Sequence, residues 1–304
     1  MQKAIVITGA TGSGKSKFAI ALARKYNGVI INADAMQIYK QAPILSAQPD
    51  INDKSQVQHL LYGFVDIFED KRYSVGKYLT DLDATLKNLK EKTPIIVGGS
   101  MMYIEAILNG IDEIPEIEEQ TRQQILKNLQ NKTAKQLFEI LAKIDEKYAK
   151  IVDKNNTQRL LRGIEVKLAT GKSIVDFWKK NSNKKSGLLQ KYQLERLITE
   201  ISRDKLYDNI NKRFDDMIKN GAIDEAKMIY NECKEKNKDI KSIPKIIGLK
   251  EFFDYFESKV SLETAIENAK QSTRHYAKRQ LTWFRNRFED FTKISPNCTN
   301  IDLF

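Results

Sequence analysis

Gly9-Ala10-Thr11-Gly12-Ser13-Gly14-Lys15-Ser16 is the segment whose residue types and spacing carry the most specific chemistry in this chain. Two glycines separated by four residues and followed by Lys and Ser form a phosphate-binding loop, or P-loop. Glycines let successive backbone N–H groups turn toward one phosphate, and the positive end of the following helix adds to their field. Lys15 brings a mobile positive charge, and the Ser16 hydroxyl is a ligand suited to Mg²⁺. The context fits, because Ala4-Ile5-Val6-Ile7 reads as a buried strand and Lys15–Tyr26 as a helix. A chance glycine turn does not explain both the pattern and its place. The loop predicts a diphosphate-binding site at residues 9–16 and says nothing of the reaction.

A second candidate is Asp34. It follows the apolar run Val29–Asn32, so it stands at the carboxyl edge of the expected sheet, where open α/β sheets bind ligands. A carboxylate there can act as a general base or hold a metal through water; as a turn or helix-capping residue it would do neither. On position alone the two readings balance. The strand Pro94-Ile95-Ile96-Val97 ends in Gly98-Gly99-Ser100, where ATPases and GTPases of this kind usually carry a metal-holding Asp. That turn offers N–H groups and a hydroxyl instead.

These groups must be held by a sheet. Short apolar runs alternating with helical patterns through the first hundred residues, including Val75–Leu89, give β-α-β grammar and a parallel sheet flanked by helices. From Glu116 to about Lys191 there is no Pro and almost no strand signal. Amphipathic helices are expected there at 118–130, 133–142, 155–169 and 173–180, followed by a loop over 181–187. Tyr192–Ile198 then alternates like a strand, and long helices run to about residue 288. The expected organisation is an α/β P-loop core in two parts, 1–115 and 192–304, with an all-helical domain inserted at 116–191.

The 51 Lys and Arg exceed the 40 Asp and Glu by 11, and the isoelectric point is near 9.3. That balance favours an acidic partner, nucleic acid first, although the abundance of Lys, Ile and Asn is also what an AT-rich genome produces. No run approaches the ~18 apolar residues of a membrane span, and the N-terminal apolar run is cut too short by the glycines for an export signal. Cys233 and Cys298 make neither a zinc site nor a disulfide framework, so a reducing, cytoplasmic location is expected. His59 and His275 lack partners at metal-ligand spacing.

The segments around these candidates resemble the tRNA dimethylallyltransferase family. The resemblance is carried in order by Asp34-Ala35-Met36-Gln37-Ile38-Tyr39-Lys40, Val97-Gly98-Gly99-Ser100-Met101-Met102-Tyr103, Gln158-Arg159-Leu160-Leu161-Arg162 with Ala169-Thr170-Gly171-Lys172, Ile247-Gly248-Leu249-Lys250-Glu251, and Thr273 through Arg285. It implies transfer of a dimethylallyl group from its diphosphate to N6 of the adenosine 3′ of a tRNA anticodon, with Mg²⁺. It also implies that Asp34, Ala35, Met36 and Gln37, Ser100, Arg122, and Gln158 through Arg162 contact the tRNA anticodon stem-loop. The chain departs from the family at three places. Ala35 stands where Ser is common, Gln48 where a Lys is usual, and Ser100 where Thr is usual. The zinc finger of eukaryotic relatives is absent, which resembles the bacterial type.

On this reading Lys15 and the loop N–H groups steady the departing diphosphate, Asp34 accepts the N6 proton, and Ser100 hydrogen-bonds near the reacting centre. Arg159 and Arg162, three apart on a helix, clamp RNA phosphate; by spacing alone they would be a solvated face. Trp283 and Phe284 are expected in the core, with Arg274 and Lys278 along a substrate channel. A monomer is expected, with ATP at most a competitor for the P-loop. Two other classes fit parts of the sequence: a nucleoside or nucleotide kinase, and a nucleotide-regulated RNA-binding protein without catalysis. The kinase leaves the helical insertion without a task, and the absence of an Asn-Lys-x-Asp segment weakens a GTP switch.

Overall fold

A computed structural model describes residues 2–69, 73–112, 114–180 and 187–295. Cys298 and most of the loop expected at 181–187 lie outside the described residues. Packing divides the chain into two compact units. One comprises the residues up to Leu108 together with those from Leu188, and the other is Asn109–Gly187. Residues 109–115, which the sequence assigns to the core, group with the helical unit.

The first unit opens with β1 (Lys3–Thr8), α1 (Lys15–Lys25), β2 (Gly28–Asn32), α2 (Ile51–Gln56), β3 (His59–Leu60), α3 (Val75–Lys87), β4 (Thr93–Gly98) and α4 (Met101–Asn109). The helical unit carries α5 (Glu119–Leu129), α6 (Ala134–Ile144), α7 (Glu146–Ala149), α8 (Thr157–Thr170) and α9 (Ile174–Lys180). The chain then returns to the first unit with β5 (Gln193–Thr199), α10 (Arg203–Lys219), α11 (Ala222–Glu235), α12 (Leu249–Phe256), α13 (Leu262–Arg287) and β6 (Thr292–Ile294).

The six strands form one sheet in the order β3-β2-β4-β1-β5-β6, with every pairing parallel. The apolar runs of β1, β2 and β4 are buried on both faces, as a parallel sheet covered by helices requires. Side chains of β1 alternate between two cores: Ala4 and Val6 face one, Ile5 and Ile7 the other. The register sets Thr8 opposite Gly98, and the Thr8 hydroxyl donates to Gly98 O at 3.0 Å. The loops after β1 and β4 therefore leave the sheet side by side. The edge strands β3 and β6, two and three residues long, are too short to carry a periodic signal and are absent from the sequence reading.

The helical unit has its own core, in which Ile125, Leu129, Leu137, Leu141, Leu160 and Ile164 are buried. Its α6 begins with a capping box, Thr133 and Gln136 each bonding the other's backbone. Gly163 on α8 is small because a Cβ there would come within 2.5 Å of the Tyr148 ring.

Candidate active site

The P-loop spans the turn from β1 into α1. A Cβ on Gly9 would lie 1.9 Å from Thr199 Oγ1 at the end of β5, so only glycine lets the loop pass. The Ser13 hydroxyl meets the same Thr199 hydroxyl at 2.5 Å, tying the loop to the sheet. Lys15 Nζ donates to Ala10 O at 3.2 Å and lies folded over the loop. Burial lowers its pKa to about 8; Asp34 acts against that shift, and the positive charge of Arg213 acts with it. Ser16, on the first turn of α1, is exposed.

Two helices far along the chain complete the loop, and sequence reasoning did not single out their role. From α10, Arg213 Nη2 donates to Thr11 Oγ1 at 3.0 Å and Asn209 Nδ2 donates to Gly12 O at 3.1 Å. Burial lowers the Arg213 pKa, with Asp34 acting to raise it. Leu206 and Ile210 on the same helix pack with Ala10 in a small core. Asn209 and Arg213 are four apart beside that apolar stripe, the one sequence signal that could have brought them to the loop. From α13, Gln280 is fully buried, accepts the Thr11 N–H at 2.9 Å and donates to Gly99 O at 2.7 Å.

Asp34 leaves the end of β2 in a tight turn. Its Oδ1 accepts the Met36 N–H at 3.0 Å and its own N–H is held by Asn32 Oδ1 at 2.8 Å. Among the described residues its second carboxylate oxygen accepts no hydrogen bond. The carboxylate lies within electrostatic range of Lys15, Arg213, Tyr62, Tyr103 and Tyr276. Burial raises the pKa of the Tyr276 hydroxyl well above the ordinary tyrosine value; the negative charge of Asp34 adds to the shift. Ser100, buried, accepts the Ala35 N–H at 2.7 Å and lies close to Tyr276. The Ser100 hydroxyl thus ties the β4 turn to the Asp34 turn. A Cβ on Gly98 would fall 2.0 Å from Ala33 O, so the close approach of these turns requires glycine there.

Of the residues after Asp34, Ala35 and Met36 pack half-buried against the core. The Gln37 amide donates to Ser46 O and Ala47 O, so it holds the following loop. Gln48 does similar work, donating to Tyr39 O at 2.8 Å and to Ser46 Oγ at 3.2 Å. In the helical unit Gln158 and Arg159 are exposed, Leu160 is fully buried and Leu161 is partly buried against the core. Leu160 therefore presents no side chain to a partner and instead fixes the helix that carries its neighbours. Arg122 Nε and Arg162 Nη1 converge on the buried Glu165 carboxylate at 3.6 and 3.5 Å. Farther along α13, Arg274 is engaged by Asn211 and Glu267, each at 2.7 Å, and Lys278 is exposed. Phe284 is core and Trp283 stacks edge-on against Phe284 and Phe288.

Among the described residues no group of three or more His, Cys, Asp or Glu could hold a metal ion. At the loop the Thr11 and Ser13 hydroxyls are engaged by Arg213 and Thr199, and the exposed Ser16 hydroxyl is the protein ligand on offer. That set suits Mg²⁺, which keeps most of its waters and takes its remaining ligands from substrate phosphate oxygens.

A parallel sheet whose first strand runs through a glycine loop, Lys and Ser into a helix defines a P-loop α/β protein, here with a helical insertion between β4 and β5. The chain belongs to the IPP transferase family, whose family model matches residues 37–287. It is 39% identical over 300 residues to the tRNA dimethylallyltransferase of Ehrlichia canis, covering 98% of this chain and 96% of that protein. Against the tRNA dimethylallyltransferase of Bartonella quintana it is 38% identical over 296 residues, covering 97% and 98%. The crystal structure of the full-length tRNA isopentenylpyrophosphate transferase from Bacillus halodurans matches with a TM-score of 0.67 at 31% identity, over 100% of this chain and 93% of that one. A eukaryotic dimethylallyltransferase acting on tRNA matches with a TM-score of 0.82 at 28% identity, over 100% and 77%. Among the described residues no helix is long and apolar enough to cross a membrane.

Proposed function

We propose that this chain transfers a dimethylallyl group from dimethylallyl diphosphate to N6 of the adenosine 3′-adjacent to the anticodon of tRNA, releasing diphosphate. The observation that carries the reading is the meeting of a phosphate cradle and one carboxylate. Asp34 lies within electrostatic range of both Lys15 and Arg213.

An allylic carbon–oxygen bond breaks readily because the cation is resonance-stabilised, so the main demand is to stabilise the departing diphosphate. Residues 9–16 of the loop supply N–H groups, while Lys15 and Arg213 supply positive charge. Ser16 would hold Mg²⁺, which would supply further charge neutralisation to the diphosphate. The adenine N6 lone pair is delocalised into the ring; Asp34 removes the proton as the new carbon–nitrogen bond forms. Ser100 keeps the Asp34 turn in place. The target base must leave the loop stack to reach this site. Arg122, Gln158, Arg159 and Arg162 grip the anticodon stem-loop from the helical unit. The chain works as a monomer in the cytoplasm, and ATP enters only as a competitor for the loop.

The test is incubation with labelled dimethylallyl diphosphate, Mg²⁺ and unmodified tRNA, with AMP and ATP as parallel acceptors. Label in tRNA alone is expected. Label in AMP or ATP, or in none, contradicts the reading.

A further inference from the structure

The phosphate loop and the Ser100 turn leave adjacent strands, β1 and β4, whose backbone ladder ends at the pair Thr8 and Gly98. Beyond that pair the two loops have no ladder to set their spacing. Gln280 stands in the gap. Its carbonyl oxygen accepts the Thr11 N–H at 2.9 Å and its amide nitrogen donates to Gly99 O at 2.7 Å. A primary amide carries the same acceptor and donor as a peptide group, so this side chain extends the ladder by one rung.

The bridge is well supported. Gln280 is 0% exposed, and a Cβ added to Gly99 would come within 2.5 Å of its nitrogen and 3.6 Å of Lys15 Nζ. One turn earlier on the same face of α13, Tyr276 lies close enough to Ser100 and Gln280 for its hydroxyl to feel both. A single helix face therefore touches the loop that holds the leaving group and the turn that holds the Asp34 segment through Ala35. A buried amide with both ends satisfied is costly to replace, and its two bonds fix a distance as well as contributing stability.

We infer that Gln280 is a positioning residue for transfer: it sets the separation between the phosphate cradle and the Ser100–Asp34 turns, and so the alignment of donor carbon with acceptor nitrogen. This rests on the proposed function. Gln280 binds neither substrate, so its loss disturbs alignment more than affinity.

The experiment compares the full chain with Gln280→Met, which keeps volume and removes both bonds, and with Gln280→Glu. For Gln280→Met, kcat is expected to fall by about 10–100-fold, the scale of a misplacement near 1 Å. KM for dimethylallyl diphosphate and the Kd for tRNA are expected to stay within about threefold. In Gln280→Glu the new carboxyl group donates to Gly99 O only when protonated. Its kcat relative to the unsubstituted chain is therefore expected to rise as pH falls. The charged and titratable groups around Gln280, namely Lys15, Asp34, Arg213 and Tyr276, are present in both proteins, so the ratio removes the pH dependence that they share. If Gln280→Met does not fold, the Gln280→Glu ratio decides. Unchanged kcat, a loss confined to KM, or a flat ratio across pH overturns the inference. Absence of transfer by the unsubstituted chain overturns instead the function on which it rests.

Discussion

Arg213 donates to the Thr11 hydroxyl at 3.0 Å, so a cation 202 residues away in sequence sits at the rim of the phosphate loop. It is part-buried, and among the described residues no carboxylate hydrogen-bonds to it, which leaves the charge available to an incoming anion. Arg213→Ala is expected to lower kcat/KM for transfer by about 10²–10³-fold, the usual cost of losing one group aimed at developing charge. Arg213→Lys keeps the charge but loses the planar fork, and should recover only part of that loss. Steady-state kinetics on the two variants checks this; near-normal rates in Arg213→Ala would remove Arg213 from the site.

Burial lowers Lys15 to about 8, so its charge is lost within an accessible pH range. The sign follows from which form binds. Below about 8 the ammonium is present and attracts diphosphate; above it the neutral amine does not. Affinity for inorganic diphosphate should therefore fall as pH rises through about 8, by up to about tenfold per unit. In Lys15→Arg, whose guanidinium does not deprotonate, the decline should disappear even if binding is weaker. Calorimetric titration at several pH values measures both profiles.

Asp34→Asn keeps the hydrogen bond to the Met36 N–H and removes the proton acceptor. Turnover should drop by about 10²–10⁴-fold while tRNA affinity changes little. Rapid turnover in this variant would show that the N6 proton leaves by another route.

Arg159 and Arg162 were legible as a pair three apart on a helix, yet the structure gives them different surroundings. Arg162 is held beside the buried Glu165, whereas Arg159 is exposed. Replacing both with Ala should weaken tRNA binding and reduce its salt slope by about 0.7–0.9 for each phosphate that is no longer neutralised. Arg159→Ala should account for more of the change than Arg162→Ala. Donor binding should be unaffected, and weakened donor affinity with an unchanged salt slope would contradict the assignment.

How much of this was legible in the sequence depends on range. The strand, loop and helix from Lys3 to Lys25 are contiguous, and local pattern was sufficient to place the glycine loop between strand and helix. Asp34 and Ser100 follow apolar strands directly and were legible for the same reason. Arg213 and Gln280 were not. Each reaches Thr11 from a helix 202 or 269 residues away, and one Arg among 51 basic residues carries no local mark of its partner. The burial of Leu160 is readable from helical period, although the motif around it points first to RNA. Gln48 likewise stands out in the sequence as a missing charge, while its actual bonds to Tyr39 and Ser46 depend on how the loop folds back.

The central claim, prenyl transfer without phosphoryl transfer, is tested most directly by counting diphosphate released against adenosines modified, with tRNA, Mg²⁺ and dimethylallyl diphosphate as the only phosphorylated small molecule. One diphosphate per modified adenosine is expected, and added ATP should only slow the reaction by competing for the loop. A strict requirement for ATP, or ADP formed in proportion to product, would contradict the account and make the P-loop the site of a kinase.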